Sequence, residues 1–261
     1  MTTDRLPVLE VDLGPGVRAG FTTRAGGVSP SPWDSLNLGL GVHDDAARVR
    51  ANRRRASTWL GRSVRFSTQV HGTEVVVLDR EPADGGPGDA DPVDTVGDAD
   101  ALVATGASAV GLGVLVADCV PVLLADAGSG VVATAHAGRR GLADGVVPAV
   151  LRSMAAAGAD LRSVRAAVGP AVCGACYEVP ATMRDEVAVA RPATWSTTSW
   201  GTAALDLPAG VAADLEAAGV ASVERTHVCT VEDDRWFSHR RATRSGATTG
   251  RFAGLVALAP A

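Results

Sequence analysis

Three residues carry the chemistry that this sequence permits: His71 in Gln69-Val70-His71-Gly72, Cys119 in Ala117-Asp118-Cys119-Val120-Pro121-Val122, and His136 in His136-Ala137-Gly138-Arg139-Arg140-Gly141. Two imidazoles and a thiolate form a three-ligand set that leaves a fourth tetrahedral position open, as catalytic zinc sites do. Zinc held there lowers the pKa of a bound water to near ~7 and makes hydroxide available. Zinc nucleoside deaminases attack a ring carbon in this way, but their His-x-Glu and Pro-Cys-x-x-Cys signatures are missing here. Without a metal, the same residues support a cysteine hydrolase, with Cys119 as thiolate, His136 as base and His71 spare. A third reading makes Cys119 a small buried hydrophobe and both histidines satisfied core residues.

The elements that must position these groups lie mainly between Val110 and Gly141. One apolar run leads to Asp118 and Cys119, and a second, Val131 to Ala135, delivers His136. Runs rich in Val and Leu and bounded by Gly suit strands buried on both faces. After Gly141, the spacing of Leu142, Val146, Val147, Val150, Leu151 and Met154 predicts a helix. Strand, His136, the Arg139-Arg140 pair and a helix N-terminus are thus consecutive, an arrangement suited to phosphate or another anion.

Elsewhere, Val17 to Thr23, Val64 to Phe66, Thr73 to Leu78, Val164 to Val168, Ser222 to Val228 and Phe252 to Leu258 read as strands. A helix is expected from Asp44 or Asp45 to Leu60, stopped by Gly61, with Arg48, Arg50, Arg53, Arg54 and Arg55 on solvated faces. Pro180 opens another helix to about Ala190, and Pro208 to Ala218 forms a third. Glu81 to Asp98, acidic and rich in Gly and Pro, reads as a surface loop. Arg24 before a glycine pair, and Asn37 in Asn37-Leu38-Gly39, are either turn residues or ligand contacts. Arg240, Arg241, Arg244 and Arg251 form a second anion-binding wall or an exposed loop. Cys173 and Cys176 are a redox pair or half of a zinc site, with Cys229, His227 and His239 available for the other half.

The whole chain, 261 residues with a formal net charge of -5, is read as one α/β domain spanning 1–261. That charge and a pI near 5.5 speak against nucleic acid and anionic membranes as partners. There is no lysine, which excludes a Schiff-base lysine and a Walker P-loop. The N-terminal stretch lacks a secretory pattern, and no apolar run reaches the roughly 18 residues of a membrane span, so a cytoplasmic protein with four reduced cysteines is expected.

Six segments in register add a family resemblance: Thr22-Thr23-Arg24-Ala25-Gly26-Gly27-Val28-Ser29, Asn37-Leu38-Gly39, Gln69 to Gly72, Ala117 to Val122, His136 to Gly141, and Gly169-Pro170 to Val179. Together they closely resemble the bacterial YfiH family, also called laccase-domain or multicopper polyphenol oxidoreductase proteins. The resemblance implies a mixed α/β fold, mixed sheets flanked by helices, similar to the catalytic domain of cytotoxic necrotizing factor, a Cys-His deamidase. It also implies a purine nucleoside phosphorylase that splits adenosine, inosine, guanosine and methylthioadenosine with phosphate and deaminates adenosine. The family's metal ligands fall on His71, Cys119 and His136, with zinc the expected ion. A single His-Cys-His site does not supply the several coppers of multicopper oxidation. Cys119, His136 and Arg140 are the expected catalytic residues, and Arg24, Asn37 and Arg139 the expected substrate contacts, in a monomer or homodimer. Some members are named peptidoglycan editing factors, which keeps a Cys-His hydrolase or amidase acting on muropeptide precursors as the alternative, with a copper-dependent polyphenol oxidase ranked below it. Two departures stand out: Arg139 replaces the usual Trp, and His239-Arg240-Arg241-Ala242-Thr243 replaces a Tyr-Arg-Arg-Asp-Gly run.

Overall fold

The computed structural model describes residues 6–80 and 95–259. In chain order, β1 (Val8–Glu10) and β2 (Val17–Thr22) precede helix α1 (Ala46–Leu60). Then come β3 (Val64–Thr68), β4 (Val75–Leu78), β5 (Thr95–Asp98), β6 (Ala101–Thr105), β7 (Gly111–Val116), β8 (Val120–Asp126) and β9 (Val131–Ala137). Helices α2 (Arg139–Asp144) and α3 (Val146–Ala156), strand β10 (Arg165–Val168) and helix α4 (Ala181–Ala190) follow. The chain ends with β11 (Trp195–Thr197), β12 (Ala203–Leu205), α5 (Leu207–Ala217), β13 (Ser222–Arg225), α6 (His239–Arg244) and β14 (Phe252–Leu258).

Among the described residues, two six-stranded mixed sheets result, ordered β1-β2-β14-β7-β3-β5 and β13-β10-β8-β9-β6-β4, and β11 pairs with β12 apart from them. The two-residue side-chain period decides the layering. In β14, Phe252 and Val256 enter the core shared with the second sheet, whereas Ala253, Leu255 and Ala257 pack with α1 residues Ala56, Trp59 and Leu60. In β8, Leu123 and Ala125 face the first sheet, and Val122 and Leu124 face Val150, Leu151 and Val211 of α3 and α5. The order is therefore helix, sheet, sheet, helices. Each fully buried leucine contributes roughly 1.5–3 kcal/mol, which is why the runs around Cys119 and His136 make rigid supports.

Local signals hold at most boundaries. Asp45 caps α1 by accepting from the amides of Ala47 and Arg48, and Gly61 ends it at φ 78°. Four expectations need correction. The helix expected through Leu142 to Met154 is broken at Gly145, whose φ of 101° ends α2 before α3 begins. Of the expected loop Glu81 to Asp98, Thr95–Asp98 is a strand paired parallel to β3, and the rest lies outside the described residues. β13 stops at Arg225 rather than Val228, because the chain leaves the sheet for His227 at φ 51°. Arg53 is not on a solvated face: it is buried, donates from Nε to the Leu38 carbonyl and lies 4.4 Å from the Phe66 ring centroid.

Candidate metal centre

His71 sits in the turn between β3 and β4 at φ 60°, and Cys119 follows Asp118, at φ 97°, in the turn between β7 and β8. His136 lies near the end of β9, opposite Pro121 of the antiparallel neighbour β8. Their ligand atoms all fall within 4.8 Å of one another. Cys119 Sγ is 3.8 Å from His71 Nε2, and the two imidazoles meet edge to face with centroids 4.7 Å apart. The structure thus brings together all three residues expected to bind metal.

Asp100, just before β6, organises the group. Its buried carboxylate accepts from His136 Nδ1 at 2.8 Å and from the amides of His71 at 2.9 Å, Gly72 at 2.6 Å and Val70 at 3.2 Å. A carboxylate only accepts, so His136 keeps a proton on Nδ1, and Nε2 is the nitrogen that offers its lone pair once the ring is neutral. This carboxylate-histidine pairing commonly orients metal-bound histidine, and the donor set of two nitrogens and one sulfur with such support fits a zinc ion. The hydrogen-bond census, not any sequence pattern, reveals Asp100.

Electrostatics agree. Burial works against a charged Cys119, but the neighbouring His136 and His71 bring its thiol down to about 6. Burial also opposes charge on His136, yet the Cys119 thiolate and Asp100 push it up to about 9. Asp100, despite burial, is held below the usual carboxylate range by His136 and by the amides of Gly72 and Val70. Without a metal, the centre is therefore a thiolate-imidazolium pair near neutral pH.

Close packing leaves no slack. A Cβ on Gly138 would come within 2.6 Å of His71 Cδ2 and 3.4 Å of Cys119 Sγ. On the open side, a cavity of about 450 Å³ is lined by His71, Cys119 and His136 together with Gln69, His239 and Arg251. Gln69 is pinned by the Leu115 backbone, donating at 2.7 Å and accepting at 2.8 Å. Arg251, half-buried in the wall, donates to the carbonyl of Gly250 at 3.0 Å, and burial disfavours its charge. Tyr177 lies near Cys119, with Arg139 beside it and the Arg240 guanidinium 5.2 Å from its ring centroid; burial and Cys119 push its phenol up.

The other expected contacts are placed differently. Arg140 donates from Nε to the His71 carbonyl and from Nη2 to that of Val70, so it clamps the ligand loop. Arg24 is engaged by the Asp34 side chain and carbonyl, and Asn37 is buried with bonds to Gly39, Asp44 and the amide of Arg251. Neither lines the cavity, and Asn37 acts on it by holding Gly39 and Arg251, both of which do. The arginine cluster divides: Arg251 faces the cavity, Arg241 donates to the carbonyls of Thr230, Val231, Asp233 and Trp236, and Arg244 lies over Trp200. Asp118 accepts from the Thr230 hydroxyl and from the Arg240 amide at the start of α6, both at 2.6 Å. Cys173 and Cys176 are joined by Cys229 as expected, but by Glu232 in place of His227 or His239.

Among the described residues, no helix is long and apolar enough to cross a membrane. A Streptomyces coelicolor protein named purine nucleoside phosphorylase is 51% identical over 246 residues, 93% of this chain and 96% of its own. One from Mycobacterium tuberculosis with the same name is 46% identical over 92% of this chain and 91% of its own. The crystal structure of a Neisseria meningitidis DUF152 protein superposes with a TM-score of 0.82 at 33% identity, covering 98% of this chain and all (100%) of that one. Bacillus licheniformis YfiH gives 0.79 at 28% identity, over 93% and 92%. Residues 18–259 match the family described as multi-copper polyphenol oxidoreductase laccase, and the chain belongs to that family, whose solved members include the YfiH and DUF152 proteins.

Proposed function

We propose that this protein is a zinc-dependent purine nucleoside phosphorylase acting on adenosine, inosine, guanosine and methylthioadenosine, with adenosine deamination as a second activity. The observation that carries the reading is the His71-Cys119-His136 group, oriented by Asp100 and opening into a cavity of about 450 Å³ with an arginine in its wall. That volume falls in the range of small-molecule sites, and the names of the relatives supply the substrate class. A zinc ion on these three residues would supply Lewis-acid charge and a means of activating water.

In phosphorolysis a phosphate oxygen bonds to the ribose anomeric carbon while the C1′–N9 bond breaks and its electron pair leaves with the purine. Arg53 and Arg251 both line the cavity, but Arg53 is turned to the Leu38 carbonyl and the Phe66 ring, so Arg251 is the one suited to hold phosphate in line, a positioning and electrostatic role. Arg139, Arg240 and Tyr177 form a polar group beside Cys119, where the phenol ring would offer a surface for the base. Asp100 and Arg140 act through the ligand loop, keeping His71 and His136 in place.

The test is chromatography of metal-quantified protein with adenosine, with and without phosphate, beside Cys119→Ser. Phosphate-dependent adenine release that vanishes with zinc in the variant is the expected result, with inosine reporting the deaminase branch. Stoichiometric zinc without any product overturns the nucleoside reading. One observation favours a second reading: Cys119, His136 and Asp100 also form a thiolate-imidazole-carboxylate series, the arrangement of a cysteine hydrolase. In that case chelation would preserve turnover of a peptide amide or muropeptide, whereas phosphorolysis would be lost.

A further inference from the structure

The sulfurs of Cys173, Cys176 and Cys229 and a carboxylate oxygen of Glu232 lie within 4.8 Å of one another, and the cysteines belong to a packing cluster separate from the centre described above. We propose that these four side chains form a second, structural zinc site, with three thiolates and one carboxylate as ligands.

Both loops are folded for the purpose. Cys173 opens a turn in which its carbonyl accepts from the amides of Cys176 and Tyr177, each at 3.0 Å, while the Ala175 amide donates to the Cys173 sulfur. An amide aimed at the first sulfur of a Cys-x-x-Cys turn stabilises a thiolate. The second loop repeats the device: the Cys229 carbonyl accepts from Glu232 at 3.2 Å and Asp233 at 3.0 Å, curling Glu232 back over Cys229. The loops are held face to face by a parallel bridge between Ala171 and Cys229, and the Thr230 amide donates to Ala171 at 3.0 Å.

The ligand types and spacing fit zinc. At a Zn–S bond of about 2.3 Å, tetrahedral sulfurs stand about 3.8 Å apart, so atoms already within 4.8 Å need only a small contraction. Three thiolates and a carboxylate on a divalent ion leave net negative charge, and the Arg241 guanidinium, bonded to the carbonyls of Thr230 and Val231 between two of the ligands, sits where it offsets that charge. A disulfide would use two sulfurs and leave the third beside Glu232. With Cys176 and Cys229 buried and Glu232 exposed, the ion has a path in from solvent.

Its position ties it to the first centre. Tyr177 follows Cys176 directly, and Thr230, which follows Cys229, donates its hydroxyl to Asp118 beside Cys119. Zinc at the second site would clamp both loops that contact Asp118, since the Val172 amide also donates to the Asp118 carbonyl at 2.9 Å.

Zinc content after reconstitution and desalting tests this, independently of any nucleoside activity. Wild type is expected to retain two zinc ions per chain, and Cys119→Ser/His136→Ala one. Adding Cys173→Ser, the partly exposed ligand, should release the last ion while circular dichroism stays native. Cobalt(II) bound to the double variant should show thiolate charge-transfer absorption that disappears in the Cys173→Ser background, where the site no longer holds the ion. The proposal fails if the double variant keeps no zinc, shows no cobalt-thiolate band, or yields a Cys173–Cys176 or Cys176–Cys229 disulfide by mass spectrometry under reducing purification.

Discussion

Asp100→Asn removes one charge while keeping the side chain's shape, and the structure makes its effect calculable. The carboxylate accepts four hydrogen bonds, one from His136 Nδ1 and three from the amides of Val70, His71 and Gly72, with the residue 2% exposed. An asparagine offers one oxygen and one NH2. If the oxygen stays with the amides, the NH2 faces His136 Nδ1, which must then give up its proton. The imidazole moves to the Nε2–H form and loses the lone pair that would bind metal. If the amide turns round, its NH2 confronts backbone donors in a buried setting. Either way at least one buried donor is left opposed, at about 1–3 kcal/mol, with charge-assisted bonds weakened besides. We therefore expect about 2–4 kcal/mol lost from stability, which at about 2–4 °C per kcal/mol lowers Tm by roughly 5–15 °C. Zinc affinity should fall by about 10- to 100-fold, the usual effect of losing a carboxylate behind a metal-bound histidine. Competition with a fluorescent chelator at pH 7.5 and thermal unfolding of wild type and variant measure both. Zinc affinity within twofold of wild type would refute the role assigned to Asp100, and unchanged Tm with weakened zinc would show that the three amides find other partners.

Gly138→Ala places a Cβ 2.6 Å from His71 Cδ2 at a backbone φ of -74° that alanine tolerates, so the change is steric; calorimetry should show a loss of about 1–3 kcal/mol, with zinc retention falling alongside. Zinc affinity should rise with pH by one log unit per pH unit between about 6 and about 9, because Cys119 is already a thiolate there and His136 must lose its proton; below about 6 the slope steepens as the thiol must ionise too, and above about 9 it levels off, as titration calorimetry in several buffers will report. Chelation should expose Cys119 to iodoacetamide with a rate that falls as pH drops through about 6, in contrast to an unperturbed thiol. Arg251→Ala should raise KM for phosphate by roughly 10-fold or more, with Arg251→Lys partly restoring it; an unchanged KM would move phosphate to the Arg139 and Arg240 group.

The residues legible in the sequence were those announced by local physics. Unbroken apolar runs placed β8 and β9, an Asp cap and a left-handed Gly bounded α1, and side-chain chemistry singled out His71, Cys119 and His136. What local pattern cannot carry is partnership across the chain. Asp100 sits 36 residues from His136, and a lone acid beside a strand has no period to mark it. Arg140 read as an anion ligand because it borders a histidine and a helix, yet its guanidinium reaches carbonyls 69 and 70 residues away and becomes a clamp. Arg53 read as solvated within a polar run, until tertiary packing set it against Phe66 and the Leu38 carbonyl. Glu232 joined the cysteines only because two turns were docked edge to edge. Composition and periodicity determine which segments become strands and helices, since those depend on neighbours a few residues away; only the packing of two sheets between helices decided which charges meet, because a buried polar group takes whichever partner the fold brings within hydrogen-bond reach.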